Sequence, residues 1–200
     1  MLCFDANALC VTVAPLSRKD DNVENTPKYS VHLFAGGGGG LLADVLHGIT
    51  PVCAVEIEDF QASILHARFP KLPVWDDVTP FRADNPELGE VFADLKAHRD
   101  ELVICGGFPC QDISAAGRGA GLSGARSGLW FEYLRVIREV QPRWVFAENS
   151  PMLVVRGLDC VLGGLSASGY DAAWQVLPAA AVGCRHERKR IWITCRRRDD

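Results

Sequence analysis

Cys110 stands directly after Pro109 in LVICGGFPCQDIS, Leu102 to Ser114. Leu102, Val103, Ile104 and Cys105 read as a short buried strand, and Gly106-Gly107 lets the chain turn as it leaves a sheet. Ligands of open α/β sheets bind at the carboxyl ends of strands, so a thiol fixed there by proline is sited for nucleophilic attack. Taken alone, a cysteine is more often a small buried residue. A second strand, Trp144 to Ala147, ends in Glu148-Asn149-Ser150-Pro151. Neighbouring strands, as βαβ order predicts, would open Cys110 and Glu148 onto one cleft. Thiol and carboxylate together suit covalent catalysis with an acid partner.

The elements that must position this pair begin at Tyr29. Ser30 to Phe34 reads as a first strand, followed by Ala35 and five glycines, Gly36 to Gly40, then a helix from Leu41 to His47. Strand, glycine loop and helix bring backbone amides close to a nucleotide-like ligand. The GxGxxG fingerprint is not met, because its third glycine falls on Leu41 or Leu42. Pro51 to Ile57 forms a second strand carrying Glu56, about 20 residues beyond the glycines, where a carboxylate can accept from both hydroxyls of a ribose. A helix from Asp59 to about Phe69 and a short strand, Leu72 to Trp75, lead to Asp76-Asp77, with an adenine amino group within the reach of such an acid. Asn85 to Asp100 predicts a surface helix. Gln111 to Ser127 is a long loop rich in Gly, Ser and Ala, a composition suited to a lid, with Arg118 and Arg126 able to meet phosphates. Leu129 to Val140 is amphipathic, with Tyr133, Val136, Ile137 and Val140 inward and Glu132, Arg135, Arg138 and Glu139 outward. A helix over Leu158 to Ser168 and two strands, Tyr170 to Leu177 and Arg190 to Cys195, close the domain.

Two hundred residues of ordinary composition, 48% hydrophobic and 23% charged, predict one globular domain. A net charge of −4 gives no global basic field, but Arg185, Arg188, Lys189, Arg190, Arg196, Arg197 and Arg198 form a local basic stretch. The eight cysteines contain no CxxC pair and no zinc-type Cys/His spacing, so no metal is expected. No signal peptide and no membrane-length apolar run is present, which predicts a reduced, cytoplasmic protein without membrane contact. Met1 to Lys28 lacks periodicity and is read as a poorly structured extension before a catalytic domain over residues 29–200.

Several of these features, in order, resemble the cytosine-C5 DNA methyltransferases, and most of all their shorter phage- and prophage-borne members. LFAGGGGG is similar to that family's cofactor loop, Glu56 to its ribose acid and Asp77 to its adenine-contacting acid. GGFPCQDIS resembles the Pro-Cys nucleophile motif, ENSP the Glu-Asn motif, and RHERKR the arginine-bearing motif. The resemblance implies an α/β, Rossmann-like S-adenosylmethionine-dependent methyltransferase fold, a mostly parallel sheet with helices on both faces. It implies catalysis by Cys110, Glu148, Arg188 and Arg190. Cys110 would add to carbon 6 of cytosine, and a neutral Glu148, its protonated form favoured by strand-end burial, would serve N3. Arg188 would hold the base carbonyl and sugar-phosphate, while Arg190 would support Glu148 or the nucleophile. Cofactor contacts fall on Phe34 (stacking on adenine), Ala35, Gly36, Gly38, Gly39, Glu56, Ile57, Asp77, Val78, Pro109 and Leu129. DNA contacts fall on Gln111, Ser114, Arg118, Asn149 and Arg188, with the target cytosine flipped out under the Gln111 to Ser127 loop.

The sequence departs from the pattern at His32, where the family has an acid, at Ser150 for the usual valine, and at His186 for the usual glutamine. The family's target-recognition region and returning C-terminal segment find no counterpart before Asp200. The expectation is a chain truncated ahead of target recognition, or one half of a split enzyme whose separate partner chain reads the target. A nicotinamide oxidoreductase leaves Pro-Cys-Gln and Glu-Asn unexplained. A transfer-RNA methyltransferase and a non-catalytic remnant that binds cofactor or a partner are the remaining alternatives.

Overall fold

The computed structural model describes residues 26–109 and 128–199. Its strands are β1 (Tyr29–Leu33), β2 (Thr50–Val55), β3 (Val74–Trp75), β4 (Leu102–Gly106), β5 (Trp144–Asn149), β6 (Tyr170–Pro178) and β7 (Lys189–Arg197). The helices are α1 (Gly39–Leu46), α2 (Asp59–Arg68), α3 (Gly89–Ala97), α4 (Gly128–Val140), α5 (Leu153–Arg156) and α6 (Leu158–Ala167). One sheet runs in the order β3-β2-β1-β4-β5-β7-β6. The first five strands pair in parallel, while β7 runs antiparallel to both β5 and β6. This is the mostly parallel α/β sheet expected, with β4 beside β5 as the cleft requires.

Burial alternates with the strand period of two along β5 and β7, whereas β1 and β4 are buried on both faces. Val31, Leu33, Ile104, Val145, Ala147, Ile191 and Ile193 point to one face, where Phe92 and Leu95 of α3, Trp130, Tyr133 and Ile137 of α4, and Val161 and Leu165 of α6 cover them. On the other face Leu41 of α1 and Leu65 of α2 close over Ala54. Tyr133 Oη lies 3.2 Å from the carbonyls of Ile104 and Phe146, so one hydroxyl docks α4 against both site-bearing strands. Among the described residues, no element covers the second face beyond α1. Trp144, Phe146, Trp192, Ala173 and Leu177 belong to neither buried cluster, and Phe146, 36% exposed, stacks on Trp192 with ring centroids 5.3 Å apart.

Two local readings are revised. Arg135 of α4, expected outward, is largely buried, and it donates to the carbonyls of Val78 and Phe81 while pairing with Glu132 and Glu139. The segment between β3 and α3 leaves these main-chain carbonyls for a long side-chain donor to reach. Lys28, assigned to the extension, already belongs to the sheet edge. Its N–H donates to the Glu101 carbonyl and its own carbonyl accepts from Thr50, and its ammonium pairs with the Glu101 carboxylate. No helix among the described residues is long and apolar enough to cross a membrane.

Candidate active site

The glycine loop turns because three of its residues adopt positive φ: Phe34 at 55°, Gly36 at 55° and Gly38 at 84°. Gly38 is also the cap of α1, and a Cβ there would stand 2.8 Å from Leu65 Cδ2, so this turn admits only glycine without displacement of α2. Gly36 and Gly39 have open space where a Cβ would be, which leaves the loop amides and the start of α1 approachable.

Glu56, buried at the end of β2, holds this loop. Its Oε2 accepts from Gly36 N–H at 2.6 Å and its Oε1 from Glu58 N–H at 2.9 Å. A carboxylate offers about four acceptor positions, so Glu56 retains two toward a ligand. Loop amides and this acid match the polar requirements of a nucleoside carrying an amino-acid tail. Phe34 packs edge-on against Tyr133, centroids 6.2 Å apart. Asp77 is half-buried and caps a turn by accepting from Thr79 N–H at 2.8 Å. Ala35 donates its N–H to the Val55 carbonyl, which binds the loop to β2. Ile57 is exposed and Leu129 packs on the main core. The Val78 side chain is buried in that core and its carbonyl serves Arg135.

At the neighbouring strand ends, the parallel register sets Gly106 beside Ala147. One residue on, a Cβ at Gly107 would stand 2.7 Å from Glu148 Oε2. The absent side chain is what lets this carboxylate lie against the segment leading to Pro109. Arg190 of β7 closes the other side, Nε to Glu148 Oε1 at 2.6 Å. Glu148 is 31% exposed, so an ion pair at the rim, rather than burial, defines its surroundings. That departs from the strand-end burial expected.

Asn149 also differs from the expectation. It is 3% exposed, its Nδ2 donates to the Phe108 carbonyl at 2.8 Å, and its Oδ1 accepts from Ser150 N–H at 2.8 Å. A buried amide with both ends committed to main chain anchors the Phe108-Pro109 segment rather than facing a nucleic acid. Arg188 is exposed, with φ 20°, in an exposed stretch from Arg185 to Lys189. Pro109 is exposed at the lip. Cys110, Gln111, Ser114 and Arg118 lie outside the described residues.

The three thiols buried in the sheet are poor nucleophiles. Burial pushes Cys53 and Cys195 up to about 12 and raises Cys105 further still. The structure thus joins Glu56 with the glycine loop, and Glu148 with Arg190 and Gly107. Sequence reasoning missed Gly107 and the anchoring role of Asn149. The GG and EN pairs were the available signals, but which backbone each would meet depends on the β4–β5 register.

The description of C-5 cytosine-specific DNA methylases matches residues 29–200. The chain is 34% identical over 176 residues to the type II methyltransferase M.CviJI of Paramecium bursaria Chlorella virus IL3A, covering 85% of this chain and 43% of that protein. It is 29% identical over 173 residues to the type II methyltransferase M.HhaI of Haemophilus parahaemolyticus, covering 84% and 49%. Among solved structures, a putative DNA modification methyltransferase encoded within an Escherichia coli prophage superposes with a TM-score of 0.67 at 24% identity, covering 84% of this chain and 46% of that one. The Schizosaccharomyces pombe Dnmt2 methyltransferase gives 0.67 at 20%, covering 88% and 51%. The chain spans about half the length of the relatives it matches.

Proposed function

Because the chain belongs to the C-5 cytosine-specific DNA methylase family, we propose that it methylates carbon 5 of cytosine in DNA by way of a covalent bond between Cys110 and carbon 6. The observation that carries this reading is the apposition of Glu148, Arg190 and Gly107 at the exit of β4, the segment that runs on to Pro109-Cys110. When bound, S-adenosylmethionine supplies an electrophilic methyl group on sulfonium. Glu56 and the amides of Gly36 to Gly39 would hold it, with Phe34, Ala35, Ile57, Asp77, Pro109 and Leu129 around it.

The remaining steps belong to the chain's own side chains. Carbon 5 of cytosine is a weak nucleophile. Addition of the Cys110 thiolate to carbon 6 makes the ring an enamine, and negative charge builds toward N3. Glu148 is the group at hand to share a proton with N3, and its bond to Arg190 fixes the carboxyl plane. After transfer, solvent water takes the carbon-5 proton as the carbon 6–sulfur bond breaks, which releases the Cys110 thiolate and restores the aromatic ring. Arg188 would meet the sugar-phosphate, as would Gln111, Ser114 and Arg118 in the loop over a flipped base. The chain spans about half of M.CviJI and M.HhaI; the second reading is a chain that binds cofactor without turnover of its own.

The test couples binding to transfer. Calorimetry should give S-adenosylmethionine binding in the micromolar range, roughly −8 kcal/mol, lost in Glu56→Ala and absent for NAD. Labelled methyl transfer to cytosine-containing duplex should vanish in Cys110→Ala and persist in Cys105→Ala. Equal transfer by Cys110→Ala overturns the covalent mechanism. Binding without any transfer favours the cofactor-binding reading.

A further inference from the structure

Behind the glycine loop, three side chains with metal-ligating atoms converge from three different elements. His32 lies in β1, Cys105 is its register partner on β4, and Asp44 comes down from α1. One ligand atom from each lies within 4.8 Å of the other two, and no other such group is found among the described residues. His32 and Cys105 are buried, while Asp44 keeps a partly open side that offers a way in. His32 Nε2 and Asp44 Oδ2 stand 2.6 Å apart. The space is shaped for the imidazole, since a Cβ at Gly40 would fall 2.9 Å from His32 Cε1 and 3.1 Å from its Nδ1. None of the three has a task in the methyl-transfer reading.

We propose that His32, Asp44 and Cys105 bind one borderline-soft divalent metal ion, zinc being the ion whose preferences they fit. Thiolate with imidazole and carboxylate is a zinc or cobalt(II) set and a poor one for magnesium or calcium, which take oxygen ligands. Two anionic ligands neutralise the ion, so the occupied site carries no net charge into a buried place. The ion takes the position of the hydrogen between Nε2 and Oδ2. The imidazole then carries its hydrogen on Nδ1, the Cys105 thiol releases its proton to solvent, and water fills the fourth position. A tetrahedral ion at ordinary zinc distances holds nitrogen and oxygen roughly 3.4 Å apart, so the pair opens slightly while the thiol closes in. Such an ion ties β1, β4 and α1 together directly under the glycine loop. Its consequence is a braced loop, independent of whether the chain transfers methyl groups.

Cobalt(II) titration of the reduced, chelator-treated full chain tests this without any activity assay. One equivalent should bring up a near-ultraviolet thiolate-to-cobalt charge-transfer band and the strong visible bands of a tetrahedral ion. Both should disappear in Cys105→Ser and remain in Cys184→Ser, which controls for the exposed thiol beside His186. Asp44→Asn, in a partly open position, should weaken zinc by at least about tenfold in competition with a chromophoric chelator. Circular dichroism checks that each variant folds. A wild-type chain without the thiolate band, a band that survives Cys105→Ser, or unchanged zinc affinity in Asp44→Asn overturns the proposal.

Discussion

Gly107 and Asn149 show how little of an active-site edge need be made of reactive groups. Glycine at 107 exists so that Glu148 can lie against the backbone, and Asn149 holds the next carbonyl in place. Gly107→Ala should therefore displace the Glu148 carboxylate while leaving the fold intact. Misplacement of a catalytic group by about 1 Å is worth on the order of a hundredfold in rate, so initial rates of labelled methyl transfer should fall by at least about tenfold with the thermal midpoint little changed. Retention of the wild-type rate would remove Glu148 from the mechanism. At this scale the sequence was legible where chemistry is written in neighbours along the chain. Glu148-Asn149 at the end of a strand announced itself, and RHERKR put Arg190 near Glu148. The His32, Asp44 and Cys105 cluster was invisible, because its members meet only through parallel register and the descent of α1. An inventory of cysteine spacings has no means of finding it.

Most strands and helices were legible from their periods, with boundaries moved by a residue or two at β1, α2 and α4. However, α3 begins at Gly89 rather than Asn85, and α5 was not foreseen. What escaped was the environment of single positions. Arg135 sits on the polar stripe of α4 yet bonds carbonyls of the Val78 to Phe81 segment, a segment with no period of its own. The core strands also carry thiols, Cys53 on β2 and Cys195 on β7, both raised from 9.0 to about 12 by burial. The unfolded chain releases these protons near its ordinary value while the folded chain keeps them. Stability is therefore fully present below pH 9 and is lost as pH rises from about 9 toward about 12. Urea midpoints measured at pH 8 and at pH 10 should differ in that sense, and Cys53→Ala should flatten the difference. An identical slope in the variant would assign the alkaline loss to other groups.

Across the whole molecule, the sheet is covered on both faces over β1 to β3 and on one face only over β5, β7 and β6, among the described residues. Parallel-sheet domains ordinarily bury both faces. Here Phe146 and Trp192 shield each other instead, as a stacked pair. A dye that fluoresces on apolar surface should bind the folded chain, and Phe146→Ser should reduce the signal with the far-ultraviolet spectrum unchanged. Undiminished fluorescence would locate the exposed surface elsewhere. This asymmetry was not legible in the sequence, where Trp144, Phe146 and Trp192 look like core residues by type. Only the pairing of alternate positions along β5, β6 and β7 shows which side each faces.

The antiparallel insertion of β7 has a further consequence, in time rather than in space. The ribosome delivers β6 before β7, yet β6 bonds to the sheet only through β7. Until β7 is made, β5 has an open edge, β6 has no strand to join, and Glu148 has no Arg190. The first five strands can assemble in the order of their synthesis, since each crossover returns to a strand already in place or to one soon to come. The last two must then dock together, as a hairpin closing a long-waiting edge. Non-local pairing of this kind is the slow part of folding and the part exposed to wrong partners. Completion of the Glu148–Arg190 pair and completion of the sheet are one event, so a chain still growing holds its acid unguarded but cannot yet aim it.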